Sequence, residues 1–144
     1  MAAFKRFEDI EAWQKARELT RQIYDATARG TFGRDFALRD QLRRACVSVT
    51  SNIAEGHGRG GNKEFIQYLS MAVGSVNEAC AQLYVALAQK YIGESESHAL
   101  TALAHETARL TAGLARYLRE SDLKGSKYST NLEASQERTT ETKN

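Results

Sequence analysis

Residues 65–87 read FIQYLSMAVGSVNEACAQLYVAL, and this stretch decides the fold. Phe65, Leu69, Ala72, Val73, Val76, Cys80, Leu83 and Leu87 recur at spacings of 4, 3, 1, 3, 4, 3 and 4. That is the period of one helical face, whereas a half-buried strand would alternate every second residue. Asn62 is placed to cap the start and Gly93 to end the helix. About 28 residues at 1.5 Å rise predict a helix roughly 42 Å long. Gly74 and Ser75 lie inside it, where small side chains would let a neighbouring helix approach closely.

The same period extends outward on both sides. Leu38, Leu42, Ala45, Cys46, Val49 and Ile53 follow spacings of 4, 3, 1, 3 and 4, which predicts a helix from about Asp35 to Glu55. Asp35 is its candidate N-cap, and Gly56 stands where a left-handed C′ residue would close it. The run Cys46 to Ser51 has strand-like composition, yet the helical period continues through it. Trp13, Ala16, Leu19, Ile23 and Ala26 predict a further helix from about Ile10 to Ala28, ended by a turn at Gly30 and Gly33. Leu100, Leu103, Thr107, Leu110, Leu114 and Leu118 predict a last one, from Ser95 or Ser97 to Arg119.

Four amphipathic helices with short connections give an all-α fold: an antiparallel up-down four-helix bundle over residues 1–120. Residues 121–144 hold two Leu and one Tyr among many Ser, Thr, Lys and Glu, which reads as a polar, disordered tail.

Composition narrows the function classes. The chain has 144 residues, one domain's worth, and no proline to interrupt a long helix. No apolar run reaches the ~18–20 residues of a membrane span, and Met1 to Ile10 lacks the apolar segment of a secretory signal. Cys46 and Cys80, the two cysteines, fall on apolar stripes and read as reduced core thiols of a cytoplasmic protein. A membrane protein and a disulfide scaffold are thereby excluded. The net charge is +2, but residues 31–63 carry six basic groups against three acidic ones.

The chemistry-bearing motifs lie in that segment. Gly56, Gly58 and Gly61 match G-x-G-x-x-G formally, but a helix precedes them where a dinucleotide site needs a strand. A flexible turn is one reading. The other is an anion site made by amides opening the third helix together with Arg59 and Lys63. Ser48, Ser51, Asn52 and Glu55 form a polar strip with Glu55 near Arg59. It is either a solvated face or a hydrogen-bonded seam between helices or subunits. A single Glu without a paired carboxylate or histidine gives no catalytic residue. His98 and His105 share a face but lack further ligands, so neither metal nor cofactor is expected. Arg34, Arg39, Arg43 and Arg44 form the basic cluster. Asp35–Arg39 and Asp40–Arg44 are i,i+4 pairs expected to neutralise part of it. A salt-bridged surface and a phosphate-contacting face are the two readings.

Three stretches carry a family resemblance. They are Phe7-Glu8-Asp9-Ile10-Glu11-Ala12-Trp13-Gln14-Lys15-Ala16; Leu42-Arg43-Arg44-Ala45 continuing to Ser51-Asn52-Ile53-Ala54-Glu55-Gly56; and Lys63-Glu64-Phe65-Ile66-Gln67-Tyr68-Leu69 with Ala72, Gly74 and Ser75. In order and content they resemble the four-helix-bundle proteins encoded in intervening sequences of bacterial 23S ribosomal RNA genes. That family is sometimes labelled a ribosomal protein. Its fold is similar to that of the accessory protein of diversity-generating retroelements. The likeness covers about residues 4–118, and Thr50 stands where the family usually has proline. It implies a bundle that often assembles as a ring-like homopentamer, with no established enzyme activity. The retroelement relatives bind a reverse transcriptase and RNA or DNA through a basic surface. The expectation is therefore a non-enzymatic homo-oligomer that binds nucleic acid or a nucleic-acid enzyme. A self-assembling scaffold with no nucleic-acid partner is the alternative. Candidate contacts are Arg34, Arg39, Arg43, Arg44, Arg59 and Lys63, and candidate motif or interface residues are Ser51, Asn52, Glu55, Gly56 and Gly74.

Overall fold

The computed structural model describes the backbone of residues 4–141 and the side chains of residues 4–123. Its four helices are α1 (Glu11–Thr27), α2 (Phe36–Gly58), α3 (Asn62–Ala88) and α4 (Glu94–Glu141), with 3-10 turns at Phe7–Asp9 and Phe32–Arg34. No strand occurs among the described residues. The run Cys46 to Ser51 is helical, because Cys46, Val49 and Ile53 continue one buried stripe across it. Thr50 sits in unbroken helix, its hydroxyl donating to the Val47 carbonyl at 2.7 Å.

Side-chain bonds fix the helix directions. Tyr68, Ser75 and Tyr91 along α3 and beyond its end meet Glu55, Ser48 and Asp35. Numbers rising on one side fall on the other, so α2 and α3 are antiparallel. Arg29–Glu96 and Lys15–Glu106 show the same for α1 and α4. His57 Nε2 meets the Phe4 carbonyl while Arg43 meets Thr27, which orients the N-terminal segment against α2. The bundle is up-down, with each helix packed on its sequence neighbours and α4 closing on α1.

The core takes one stripe from each helix. Ala16, Leu19 and Ile23 of α1, Leu42, Cys46, Val49 and Ile53 of α2, and Leu69, Val76 and Leu83 of α3 are fully enclosed. On α4 the deepest positions are small: Ala104, Thr107 and Thr111, with Leu103, Leu110 and Leu114 packed at the margin. The buried threonine hydroxyls donate to the carbonyls of Leu103 and Thr107 on their own helix, at 2.8 and 2.7 Å. Burial of a hydroxyl therefore leaves no donor unmet.

Several helix ends differ from the sequence expectation. Asp35 caps α2 as expected, accepting from the Leu38 amide at 3.1 Å. Gly56 is not a C′ residue. It lies inside α2 and is buried, because a Cβ there would come within 2.6 Å of Tyr68 Cβ. Its role is close approach of α2 to α3, and Gly60, at φ +82°, makes the left-handed turn instead. Gly61 rather than Asn62 is the N-cap of α3, and Asn62 donates to Asp122 on α4 at 2.8 Å. The end of α3 is made by Lys90 at φ 60°, with the Tyr91 amide reaching back to the Ala86 carbonyl. That back-bond closes the last turn before Gly93 is reached. With no proline to stop it, α4 continues past Arg119. The polar tail expected over residues 121–144 falls mostly on residues whose side chains lie outside the described ones.

Candidate nucleic-acid interface

The basic cluster is built on the 3-10 turn before α2 and on the first turns of α2, with Arg43 held against the edge of α1. Arg39 Nε donates to Asp40 at 2.9 Å, its Nη1 donates to the Gly33 carbonyl at 3.1 Å, and its guanidinium lies 4.7 Å from the Phe36 ring centre. Arg43 Nε donates to the Thr27 hydroxyl at 2.8 Å, and the guanidinium covers Tyr24 at 4.5 Å. Arg34 and Arg44 are exposed and form no ion pair among the described residues.

Neither expected i,i+4 pair forms here. Asp35 spends its carboxylate on the Leu38 amide and on the Tyr91 hydroxyl at 2.9 Å. Asp40 turns to Arg39 rather than Arg44. The Tyr91 hydroxyl is held protonated by Asp35, which raises its pKa from the ordinary value. The result is a face less neutralised than the spacing predicts. Of four arginines, one meets a carboxylate, one is held by neutral oxygens and two are open.

Arg43, Arg44 and Asp40 line a groove. A cavity of about 620 Å³ is bounded by Tyr24, Asp40, Arg43, Arg44, Val47, Ser48 and Ser51. A second of about 340 Å³ shares Asp40 and Arg44 with it and adds Phe36, Ala37 and Gln41. Ser51 thus belongs to the groove, while Asn52 turns inward and donates to the Ser48 carbonyl and hydroxyl at 2.9 and 3.0 Å. Ser48 meets Ser75 of α3 at 2.9 Å. Ser48 and Glu55 therefore make the strip a hydrogen-bonded seam from α2 to α3, with Asn52 bonded behind Ser48 and Ser51 left to the groove.

Arg59 and Lys63 lie elsewhere. Arg59 is fifteen residues beyond Arg44, about 22 Å along a helix. Its guanidinium bonds Glu55 at 2.8 Å and the Tyr68 hydroxyl at 2.7 Å, and stacks 5.2 Å from the Tyr68 ring. The Glu55 bond pushes the Arg59 pKa further up, so this corner is a closed pair. Lys63 is exposed beside Ile66, Arg119, Asp122 and Leu123. The six candidate cations therefore fall into two groups, one around the start of α2 and one at the turn from α2 to α3. Gly74 is exposed, and a Cβ there would meet nothing within 4 Å, so no helix packs against it among the described residues.

The three stretches singled out in the sequence occupy the first 3-10 turn and the start of α1, the length of α2 behind the groove, and the opening of α3 against Gly56. The 23S rRNA-intervening sequence protein family matches residues 8–113, which takes in all of these stretches but Phe7. The chain belongs to that family. A solved structure with a similar fold is a protein with unknown function from the S23 ribosomal protein family of Bacteroides thetaiotaomicron VPI-5482. It is 20% identical with a TM-score of 0.66, and the match covers 72% of this chain and 97% of that one. At that identity the likeness concerns the fold. No curated protein matches the chain.

The aromatic partners of these arginines were not among the candidate residues that the sequence singled out. Tyr24, Phe36 and Tyr68 each carry an arginine on the ring. Phe36 was legible, since it precedes Arg39 by three on one helix face. Tyr24 and Tyr68 meet their arginines from another helix, and no local spacing announces that. The cysteines are where the stripes put them: burial pushes the Cys46 thiol up to about 12 and raises that of Cys80. His98 and His105 are exposed, and no group of three metal-ligating side chains occurs among the described residues. No helix among those residues is long and apolar enough to cross a membrane.

Proposed function

We propose that this family member is a non-enzymatic, cytoplasmic, self-assembling bundle that binds nucleic acid through the arginine face of α2. The observation that carries the reading is the open state of Arg44 beside Arg43, whose guanidinium meets only neutral oxygens and a ring, with Arg34 also unpaired in the turn before α2. Cations without carboxylates are free to release counterions from phosphate. RNA, DNA or a nucleic-acid enzyme such as a reverse transcriptase are the partner classes this face admits. Glu55 is occupied by Arg59 and Tyr68 and hydrogen-bonds no second carboxylate or histidine among the described residues, which supports a binding role over acid–base chemistry.

One observation favours the scaffold reading, with no nucleic-acid partner. α3 leaves Met71 and Val85 about half exposed, on the helix that also presents the open Gly74. Apolar side chains left in water on a central helix are suited to cover by another copy. A ring of five, as the family resemblance implies, would weigh about five times 16.0 kDa and carry about +10 from chains of +2. Light scattering with an RNA mobility-shift titration tests both readings. The proposal expects an oligomer that shifts a structured RNA at ~50 mM salt and releases it steeply as salt rises. An oligomer that shifts neither RNA nor DNA favours the scaffold, and a monomer at micromolar concentration overturns self-assembly.

A further inference from the structure

The α2 groove holds more than cations. Phe36 is 62% exposed and Tyr24 43% exposed, although both are large rings that burial would favour. Each carries a guanidinium, at 4.7 Å for Arg39 over Phe36 and 4.5 Å for Arg43 over Tyr24. A ring covered by an arginine on one side is held in place and keeps its other surface for a second flat partner. The two platforms are tied together by α2. From Phe36 to Arg43 is seven residues, about 10 Å of helix rise. That is roughly three steps of a nucleic-acid strand at 3.4 Å each. Asp40 and Arg44 join the cavity beside Phe36 to the one beside Tyr24, which runs on along α2 past Val47, Ser48 and Ser51.

The one carboxylate in the groove, Asp40, is already bonded to Arg39. Phosphates passing along Arg44 and Arg43 would therefore meet little uncompensated negative charge. A duplex hides its base faces in its own stack and has no use for exposed rings. A single strand exposes those faces, and aromatic platforms beside cations are what bind it without sequence preference.

The geometry points to the Tyr24–Phe36 groove as a binding site for single-stranded nucleic acid, with bases stacked on the two rings and phosphates on Arg43 and Arg44. This inference rests on the nucleic-acid reading above and adds the form of the ligand. Tyr24 then has a reason to be exposed that packing does not supply. Its ring fixes Arg43 and takes a base.

The test compares a 20-nucleotide oligo(dT) with a 20-base-pair DNA duplex by fluorescence anisotropy at one salt concentration. The wild-type chain and the Tyr24→Leu/Phe36→Leu double variant are both titrated. Leucine keeps apolar bulk and removes the π-face, and both sites are exposed enough to spare the core. Circular dichroism and light scattering check fold and assembly. The wild type should prefer the single strand. The double variant should bind it at least tenfold more weakly while duplex binding changes less than threefold. Equal loss on both probes, or no loss on either, overturns the stacking site and leaves the basic-face reading standing. A wild type that binds neither probe overturns both. A double variant that changes oligomer mass assigns the rings to contact between copies and overturns the site as well.

Discussion

The two ends of α2 hold the same chemistry in different states. Asp35–Arg39, Asp40–Arg44 and Glu55–Arg59 are all acid–arginine pairs at i,i+4 in the same orientation. Only the last one forms. At the start of the helix Asp35 caps the backbone and accepts from Tyr91, and Asp40 is taken by the neighbouring Arg39. At the far end no backbone amide competes for Glu55, and Tyr68 from α3 completes the cluster. Spacing alone thus does not decide an ion pair. What decides it is whether the carboxylate has a better donor, and the cap is one of the better donors a carboxylate can find. The consequence is an open, basic half and a closed, neutral half on one helix.

Both halves rest on the same core, so removing core volume should have the largest effect. Leu69, beside the closed end, and Leu83, toward the open half, are fully buried on α3. Leu69→Ala and Leu83→Ala should each cost roughly 2–5 kcal/mol in urea unfolding. Losses under about 1 kcal/mol at both would mean the buried face is misassigned.

A pair of glycines sharpens the contrast further. Gly56→Ala brings a methyl within 2.6 Å of Tyr68 Cβ at the closed end. Overpacking of about 1–3 kcal/mol should outweigh the gain of up to ~1 kcal/mol in helix propensity. Gly74→Ala meets nothing within 4 Å. It should keep the propensity gain and raise stability by up to ~1 kcal/mol. Thermal midpoints moving in the same direction for both would remove the case for close approach at Gly56. A drop in oligomer mass at Gly74→Ala would instead place a second copy on that face.

The helix pattern was legible because the three-and-four period is written in each segment, even through the β-branched run at Cys46 to Ser51. Helix ends and ion pairs were less so. Gly56 resembles a C′ residue locally, and only the position of Tyr68 on α3 shows why it lies inside a helix. Lys90 takes the left-handed conformation at the end of α3, a position that sequence rules reserve for glycine or asparagine. The arginines of the site were visible as a cluster. Their neutralisation was overestimated, since Tyr91 reaches Asp35 across 56 residues and no local count includes it.

The inner side of α2 offers a smaller contrast with its outer groove. Cys46 is fully buried, with its thiol pushed up to about 12 by burial. Iodoacetamide at pH 8 should modify it only as fast as the bundle opens, whereas denaturant should release it to the ordinary rate. Prompt native labelling of Cys46 would contradict the packing of that stripe.

The smallest effect belongs to another closed cluster, on α1. Arg21 and Gln22 hydrogen bonds hold the Glu18 carboxyl down at about 2. A depressed carboxylate adds stability that is fully present above the ordinary value of 4.5 and is lost as pH falls toward 2. The melting curves of wild type and Glu18→Gln should therefore differ slightly at pH 7 and converge over that acid range. A difference that grows on acidification would reverse the sign.

The open half and the closed half make opposite predictions for salt-dependent binding. RNA stem-loop affinity measured from about 50 to 200 mM salt compares wild type, Arg34→Gln/Arg44→Gln and Arg59→Gln. Arg34 and Arg44 hold no ion pair among the described residues, while Arg59 is engaged by Glu55 and Tyr68. The double variant should weaken binding and flatten the slope of log affinity against log salt by roughly 0.7–0.9 for each phosphate no longer neutralised. Arg59→Gln should leave the slope unchanged. A slope flattened by Arg59→Gln and untouched by the double variant would contradict the placement of the binding face on the start of α2.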